Sequence, residues 1–349
     1  VVLLEDLSSA TEEAAAQSKL VSDKVQEAIA RPYLLRDCEY HCTASIGISL
    51  FRDGNATVEE LLKHADLAMY QSKNAGRDTL RFFDPAMQAV LDERSALEAD
   101  LRLALKHRQL QLYYQPQMES ARGVIGAEAL LRWAHPERGL VAPGEFISLA
   151  EETGLILPIG RWVLETACAQ LKAWEDFPHT RDLRLAVNVS ARQFRQPDFV
   201  AQVRQALAQS GADPTRLKLE LTESLVLDNV SNTIARMQAL KAIGIGFSMD
   251  DFGTGYSSLS YLTRLPLEQL KIDQSFIRDF GSDPSGATIV QTIITMGQTL
   301  GLNVIAEGVE TEAQREFLAS NGCHTFQGYL FSRPVPLAEF EQFANLNQG

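Results

Sequence analysis

From residue 109 onward, strand-like runs alternate with helical ones, and most strand-like runs end on or near a carboxylate or an amide. Glu128 opens Glu128-Ala129-Leu130-Leu131-Arg132-Trp133, Asn188 closes LRLAVNVS, and Glu220 lies near the end of LKLELTES. Asp250 and Asp251 close GIGFSMDDF, Lys271 sits in LEQLKIDQSF, Glu307 in LNVIAEGVE and Gln327 in HTFQGYLF. Between them run RWVLETACAQLKAWEDF, DFVAQVRQALAQSG, TIARMQALKAIG, GATIVQTIITMGQTLG and TEAQREFLASNG, all with helical spacing. Strands alternating with helices of this length specify right-handed βα units and a parallel sheet. Counting from QLQLYYQPQ gives eight strands, enough to close a barrel. The short polar turn between QLQLYYQPQ and GVIGAEALLRW predicts a hairpin, so one strand runs antiparallel to the rest. An open doubly wound sheet is the rival, but it would not easily bring the ends of seven strands together. In a barrel those ends converge on one face, where side chains from distant stretches build a site.

Carboxylates gathered that closely repel one another unless cations lie between them. The set is Glu128, Asn188, Glu220, Asp250, Asp251 and Glu307, with no histidine or cysteine at a comparable strand end. Oxygen donors of this kind suit magnesium or manganese better than zinc or copper. Two adjacent aspartates can hold two metals, and such a pair, roughly 3.5–4 Å apart, activates a water for in-line displacement at phosphorus. Lys271 shares a strand face with Asp273. It is expected to orient the attacking water or to take its proton late, the alternative being a structural salt bridge with Asp273. Arg132, four residues after Glu128, matches a phosphate, its alternative being a surface arginine on a β–α turn. Gln115 and Gln327 are amides on inward-facing segments, able to contact a base or a phosphate. DDFGTGYSSLSYL reads as a loop that closes over a ligand, and Glu223 could pin it. Trp162 and Trp174 read as core, and the histidines form no cluster.

Residues 1–84 read as a smaller α/β piece, with a helix over TEEAAAQSKLVSDKVQEAIA, two strands of which one is HCTASIGISLF, and a helix over TVEELLKHADLAMYQSKNAG. Gly76 is placed to end that second helix, and DTLRFFD closes the piece. A helical bridge is expected over 85–108, with Leu91, Leu97, Leu101 and Leu105 at three- or four-residue-like intervals; its 85–94 part is the linker, and the barrel domain occupies 95–349. The net charge of −13 argues against nonspecific binding to nucleic acid or anionic membrane. No apolar stretch approaches the roughly 18 residues of a membrane-spanning helix, and no signal peptide is expected within this sequence. Cys38, His41 and Cys42 lack the second pair a zinc site needs, so the cysteines read as strand residues in a reducing cytoplasm. VVLLEDL reads as the middle of a strand, so the chain is expected to be a fragment whose parent could carry a membrane tether.

At these motifs the chain resembles the EAL-domain family of cyclic di-GMP phosphodiesterases over essentially all of 95–349. The carriers are EALLRW, VNVS, ELTES, DDFGTGYSSL, KIDQSF, IAEGVET and QGYLFSRP. The resemblance implies a modified (β/α)8 barrel with one antiparallel strand, and magnesium- or manganese-dependent cleavage of cyclic di-GMP to linear pGpG. It implies that Glu128, Asn188, Glu220, Asp250, Asp251 and Glu307 hold two metal ions and that Lys271 assists the nucleophilic water. Gln115 and Arg132 would contact the dinucleotide, with Thr222, Glu223, Asp273 and Gln327 supporting. Family members that do not catalyse serve as cyclic di-GMP receptors, and they lose ligands that this chain keeps. A homodimer through the barrel and an upstream sensor domain are further implications. Residues 1–84 are similar to the carboxy-terminal half of a GGDEF domain through ASIGIS and ADLAMYQSKNAGRD, with Lys73 and Arg77 where that family meets nucleotide phosphates. The motif that names the family is absent, so this piece is not expected to act as a cyclase.

Overall fold

The computed structural model describes residues 1–9, 11–35, 38–40, 42–51, 56–83, 96–223, 225, 230–253, 262–278 and 284–347. It separates into two compact units, Val1–Ala99 and Asp100–Gly349. The expected linker at 85–94, with Leu91, lies outside the described residues, and residues 96–104 are helical.

The first unit contains the helix Thr11–Ala30, an antiparallel pair β1 (Tyr33–Leu35) and β2 (Cys38–Tyr40), and a parallel pair β3 (Ile46–Ile48) and β4 (Leu80–Phe82). The helix Val58–Asn74 starts with a capping box, in which the Thr57 hydroxyl accepts from the Glu60 N–H and Glu60 reaches back to the Thr57 N–H. It ends where expected, with Gly76 just past the cap at φ +107°. That helix lies directly on β3, because a Cβ at Gly47 would stand 2.0 Å from the Ala65 carbonyl oxygen. The strand expected across HCTASIGISLF is therefore only three residues long. Cys42 falls just past β2 and is exposed rather than in a strand, and His41 is outside the described residues.

The second unit is the barrel. Its strands are β5 (Leu110–Glu119), β6 (Gly123–His135), β8 (Arg184–Asn188), β9 (Leu217–Thr222), β10 (Gly246–Phe252), β11 (Gln269–Ile272), β12 (Asn303–Ala306) and β13 (Thr325–Phe326). Neighbours pair parallel from β6 round to β13, and β5 closes the ring antiparallel to both β6 and β13. The expected hairpin is a tight one, with the Arg122 N–H donating to the Glu119 carbonyl and Gly123 at φ +73°. Two short strands, β7 (Gly139–Val141) and β14 (Val335–Pro336), extend the edges of β6 and β5.

Helices cover the ring. Ile156–Trp174 buries Ile156, Ile159, Val163, Leu164, Ala167, Leu171 and Trp174, a stripe at three- and four-residue intervals that faces the sheet. Trp174 packs against Tyr114 and Phe340 and donates its indole N–H to Glu341. Trp162, expected in the core, is only half-buried because it sits at the margin of that stripe. Among the described residues no helix is long and apolar enough to cross a membrane.

Candidate active site

Period two along each strand turns alternate side chains into the barrel, and the polar ones meet at its carboxyl end. Lys271, 1% exposed, is the centre. Its Nζ lies 2.5 Å from Glu220, 2.6 Å from Glu307, 3.1 Å from Asp250 and 3.4 Å from Glu128. Five strands thus deliver one ammonium and four carboxylates to a single point. The salt bridge to Asp273 is not the arrangement found. Asp273 instead accepts from the Ser275 N–H and hydroxyl, starting the short helix Gln274–Arg278.

A floor of amides fixes Glu128. Asn188, opposite Glu220 in register, donates from Nδ2 to Glu128 Oε1 at 2.5 Å, and Gln327 donates from Nε2 to Glu128 Oε2 at 2.6 Å. Gln327 also donates to Gln115 Oε1, and Gln115 Nε2 donates to the Ser332 carbonyl. Gly328 is needed directly after Gln327, since a Cβ there would stand 2.2 Å from the Val309 carbonyl oxygen. That close approach holds Gln327 against the loop that carries Glu307.

Adjacent aspartates on a regular strand would point to opposite faces. Here β10 and β11 shift register between Met249 and Phe252, and Asp251 takes φ +53°. The bulge, with Asp251 in the left-handed region that aspartate tolerates better than most residues, lets both carboxylates address one site. Glu223 Oε2 accepts the Gly253 N–H at 3.3 Å, which places Glu223 at the start of the glycine segment. Residues 254–261 of that segment lie outside the described residues. Thr222 ends β9 opposite Asp250. Arg132 shares its strand face with Glu128, is half-buried, donates to the Leu131 carbonyl and lies over the Tyr113 ring.

Sequence reasoning missed a second polar layer beneath the first. Lys218 Nζ donates to Gln269 Oε1 at 2.7 Å, and the Ser248 hydroxyl reaches the same oxygen at 3.4 Å. Gln117 was missed as well, although it lies on the same strand face as Gln115. Burial pushes the Lys218 ammonium down to about 8, partly opposed by Glu220.

The charges do not balance. Burial raises Glu220 well above the carboxylate range against the pull of Lys271, and the neighbouring acids raise it further. Burial, offset by Lys271 and reinforced by Asp250 and Glu128, pushes Glu307 up to about 8. Burial, Asp250 and Asp273 push Asp251 up to about 6. Burial opposes ionisation at Glu128 too, but Lys271 and the two amides hold it below its ordinary value. Lys271 is held well above the usual lysine value by the four carboxylates despite its burial, so it is an ammonium ion.

Among the described residues no three acidic, histidine or cysteine side chains surround a metal position, the point of convergence being Lys271 Nζ. The donor set nevertheless fits a hard divalent cation. All its donors are oxygen, and one of them, Glu220 Oε1, is buried without a hydrogen-bond partner.

A pH dependence follows. A carboxylate whose folded pKa is raised contributes stability that is present below its unfolded value and lost as pH rises through the folded one. For Glu307 that loss runs from about 4.5 to about 8, and for Asp251 from 3.8 to about 6. Metal-free protein is therefore expected to melt at a lower temperature at pH 8 than at pH 6, and saturating magnesium to remove the difference. Thermal melts with chelator and with magnesium check this. A metal-free melting temperature that rises between those two pH values would contradict it.

Comparison with known proteins agrees with the geometry. Residues 98–334 match the EAL domain model, and residues 1–79 match the model described as diguanylate cyclase, GGDEF domain. The chain is similar to the bifunctional diguanylate cyclase/cyclic di-GMP phosphodiesterase MucR of Pseudomonas aeruginosa, 47% identical over 322 residues, which are 92% of this chain and 47% of that protein. It is 37% identical over 337 residues to the cyclic di-GMP phosphodiesterase PdeR of Escherichia coli, covering 97% of this chain and 50% of the relative. The chain thus spans about half the length of these curated relatives. A solved structure of the P. aeruginosa MucR phosphodiesterase in complex with cyclic di-GMP superposes with a TM-score of 0.69 at 50% identity, covering 70% of this chain and 99% of that one. Strand ends, closure by an antiparallel strand and sequence all point the same way, and the chain belongs to the EAL domain family, preceded by part of a GGDEF domain.

Proposed function

We propose that the barrel hydrolyses cyclic di-GMP to linear 5'-pGpG with two divalent metal ions. The observation that carries this is the convergence of Glu128, Glu220, Asp250 and Glu307 on Lys271, with the full family donor set present. Glu128, Asn188, Glu220, Asp250, Asp251 and Glu307 would hold magnesium or manganese, which when bound supplies water activation and charge stabilisation at phosphorus. Asn188 already commits its amide N–H to Glu128, which leaves its carbonyl oxygen as a donor to a cation.

Arg132 offers the phosphate a planar pair of N–H groups and offsets the acidic field. Water oxygen forms the new bond to phosphorus as the bond to the 3' oxygen breaks, leaving a 5'-phosphate and a 3'-hydroxyl. Lys271, an ammonium in the metal-free protein, would hold the attacking water by hydrogen bonding; the water gives up one proton to solvent as its oxygen bonds to phosphorus, and the departing 3' oxygen takes one up from solvent. Gln115, Gln327, Thr222 and Asp273 support these groups, and Glu223 anchors the glycine segment. A homodimer through the barrel and a sensory module in the parent protein belong to the same reading.

The test is turnover of cyclic di-GMP, cyclic di-AMP and mixed cyclic dinucleotides, with products separated by chromatography. Magnesium or manganese should support selective conversion of cyclic di-GMP to pGpG. Calcium should inhibit, since its longer and looser coordination spaces the reacting groups poorly. Full activity after exhaustive chelation would end the metal account, and tight binding without turnover under every metal would make the chain a receptor.

A further inference from the structure

The four buried groups Gln117, Gln327, Gln115 and Glu128 form one chain of hydrogen bonds. Gln117 Nε2 donates to Gln327 Oε1 at 3.1 Å, and Gln327 Nε2 donates to Glu128 Oε2 at 2.6 Å and to Gln115 Oε1 at 3.0 Å. Gln115 Nε2 then donates to the Ser332 carbonyl at 3.2 Å. We propose that Gln117 is a positioning residue, which sets the amide orientation of Gln327 and through it the pose of Glu128. This rests on the reading of Glu128 as a ligand for a divalent cation.

A carboxamide can turn over by half a rotation with almost no change of shape, so only its partners decide which end faces where. Two members of this chain have no choice. The ionised Glu128 carboxylate and the Ser332 carbonyl can only accept. Gln327 must therefore turn its NH2 towards Glu128, and Gln115 must turn its NH2 towards Ser332 and its oxygen towards Gln327. Gln327 Oε1 is left facing away from the site, and only a donor can satisfy it. Gln117, 2% exposed, supplies that donor from the same strand face as Gln115. It is one amide removed from Glu128, and is neither a candidate ligand nor a partner of Lys271.

Without that donor, Gln327 Oε1 is a buried acceptor with nothing to accept. Turning the amide over to reach other partners would set the oxygen against Glu128 Oε2, acceptor against acceptor. Either outcome loosens Glu128. Groups that orient a metal ligand from outside typically matter 10–100-fold in metal affinity, and Gln117 acts through one such group.

The experiment is calorimetric titration of the metal-stripped chain with Mn2+ alone, without nucleotide. Gln117→Met keeps the length and removes the donor, and is expected to weaken Mn2+ binding by roughly tenfold, with the metal-free protein still folding cooperatively but melting somewhat earlier because Gln327 Oε1 is left unsatisfied. Gln117→Lys restores an N–H donor at that place and should recover most of the loss. In a Gln327→Met background the orientation no longer matters, so adding Gln117→Met should cause no further loss. Wild-type Mn2+ affinity in Gln117→Met, or losses that add in full in the double variant, would overturn the inference. A wild-type chain that takes up no Mn2+ would overturn the metal reading itself, and the two failures are told apart by that first titration.

Discussion

Replacing Lys271 by alanine is expected to lower cyclic di-GMP turnover by about 10²-fold or more while the dinucleotide still binds. Among the described residues the ammonium pairs with Glu128, Glu220, Asp250 and Glu307 together, and it is 1% exposed. Its removal takes away the donor that can hold the attacking water. It leaves Arg132 in place for the phosphate. Removing one partner of a buried ion pair typically costs about 3–5 kcal/mol, so metal-free Lys271→Ala should also melt earlier than wild type. The loss will be smaller than that range where the carboxylates take up protons instead. Added magnesium should restore the melting temperature but not the rate. Measuring kcat with magnesium, nucleotide affinity with calcium, and melting with and without metal separates these effects. Near-normal turnover would assign Lys271 to structure and move the chemistry elsewhere.

Strand order and the convergence of strand ends were legible because period-two alternation and βα spacing are written in side-chain type. Glu128, Glu220, Asp250, Lys271 and Glu307 were found that way, and the structure brings all five to one point. The partner of Lys271 was not legible. Sharing a strand face with Asp273 is a local relation, whereas its four actual partners come from four other strands. The bulge at Asp250 and Asp251 was hidden for another reason. It needs one residue at positive φ, and that residue is an aspartate rather than a glycine, so no glycine marks it. Gln117 and the layer of Lys218, Ser248 and Gln269 are single polar residues inside strands. Each is uninformative until its hydrogen-bond partner is known. The type and helical setting of Trp162 suggest the core, but its position around the helix decides its burial and leaves it half-buried.

Asp251→Asn is expected to separate stability from catalysis. Asparagine tolerates the left-handed backbone as aspartate does, so the bulge and the path of β10 should survive at φ +53°. What disappears is one negative charge beside Asp250 and Asp273. Burial and those two neighbours push Asp251 up to about 6, so ionisation above that pH works against the folded state. The variant should therefore melt higher than wild type at pH 8 in the absence of metal. The difference should vanish near pH 4, where the wild-type side chain is protonated and also neutral. With magnesium the order should reverse, because the variant lacks one of the oxygens proposed to hold the ions, and turnover should fall by about 10²-fold or more. A substitution that disturbs the bulge itself, such as Asp251→Val, should instead lower stability at every pH, since a β-branched residue resists positive φ. Melting curves at pH 4 and pH 8 with and without magnesium, alongside initial rates, distinguish these cases. If Asp251→Asn melts below wild type at pH 8 without metal, then the Asp251 carboxylate is held by partners that outweigh its like-charge neighbours. Its place among the surplus charges of the site would then have to be given up.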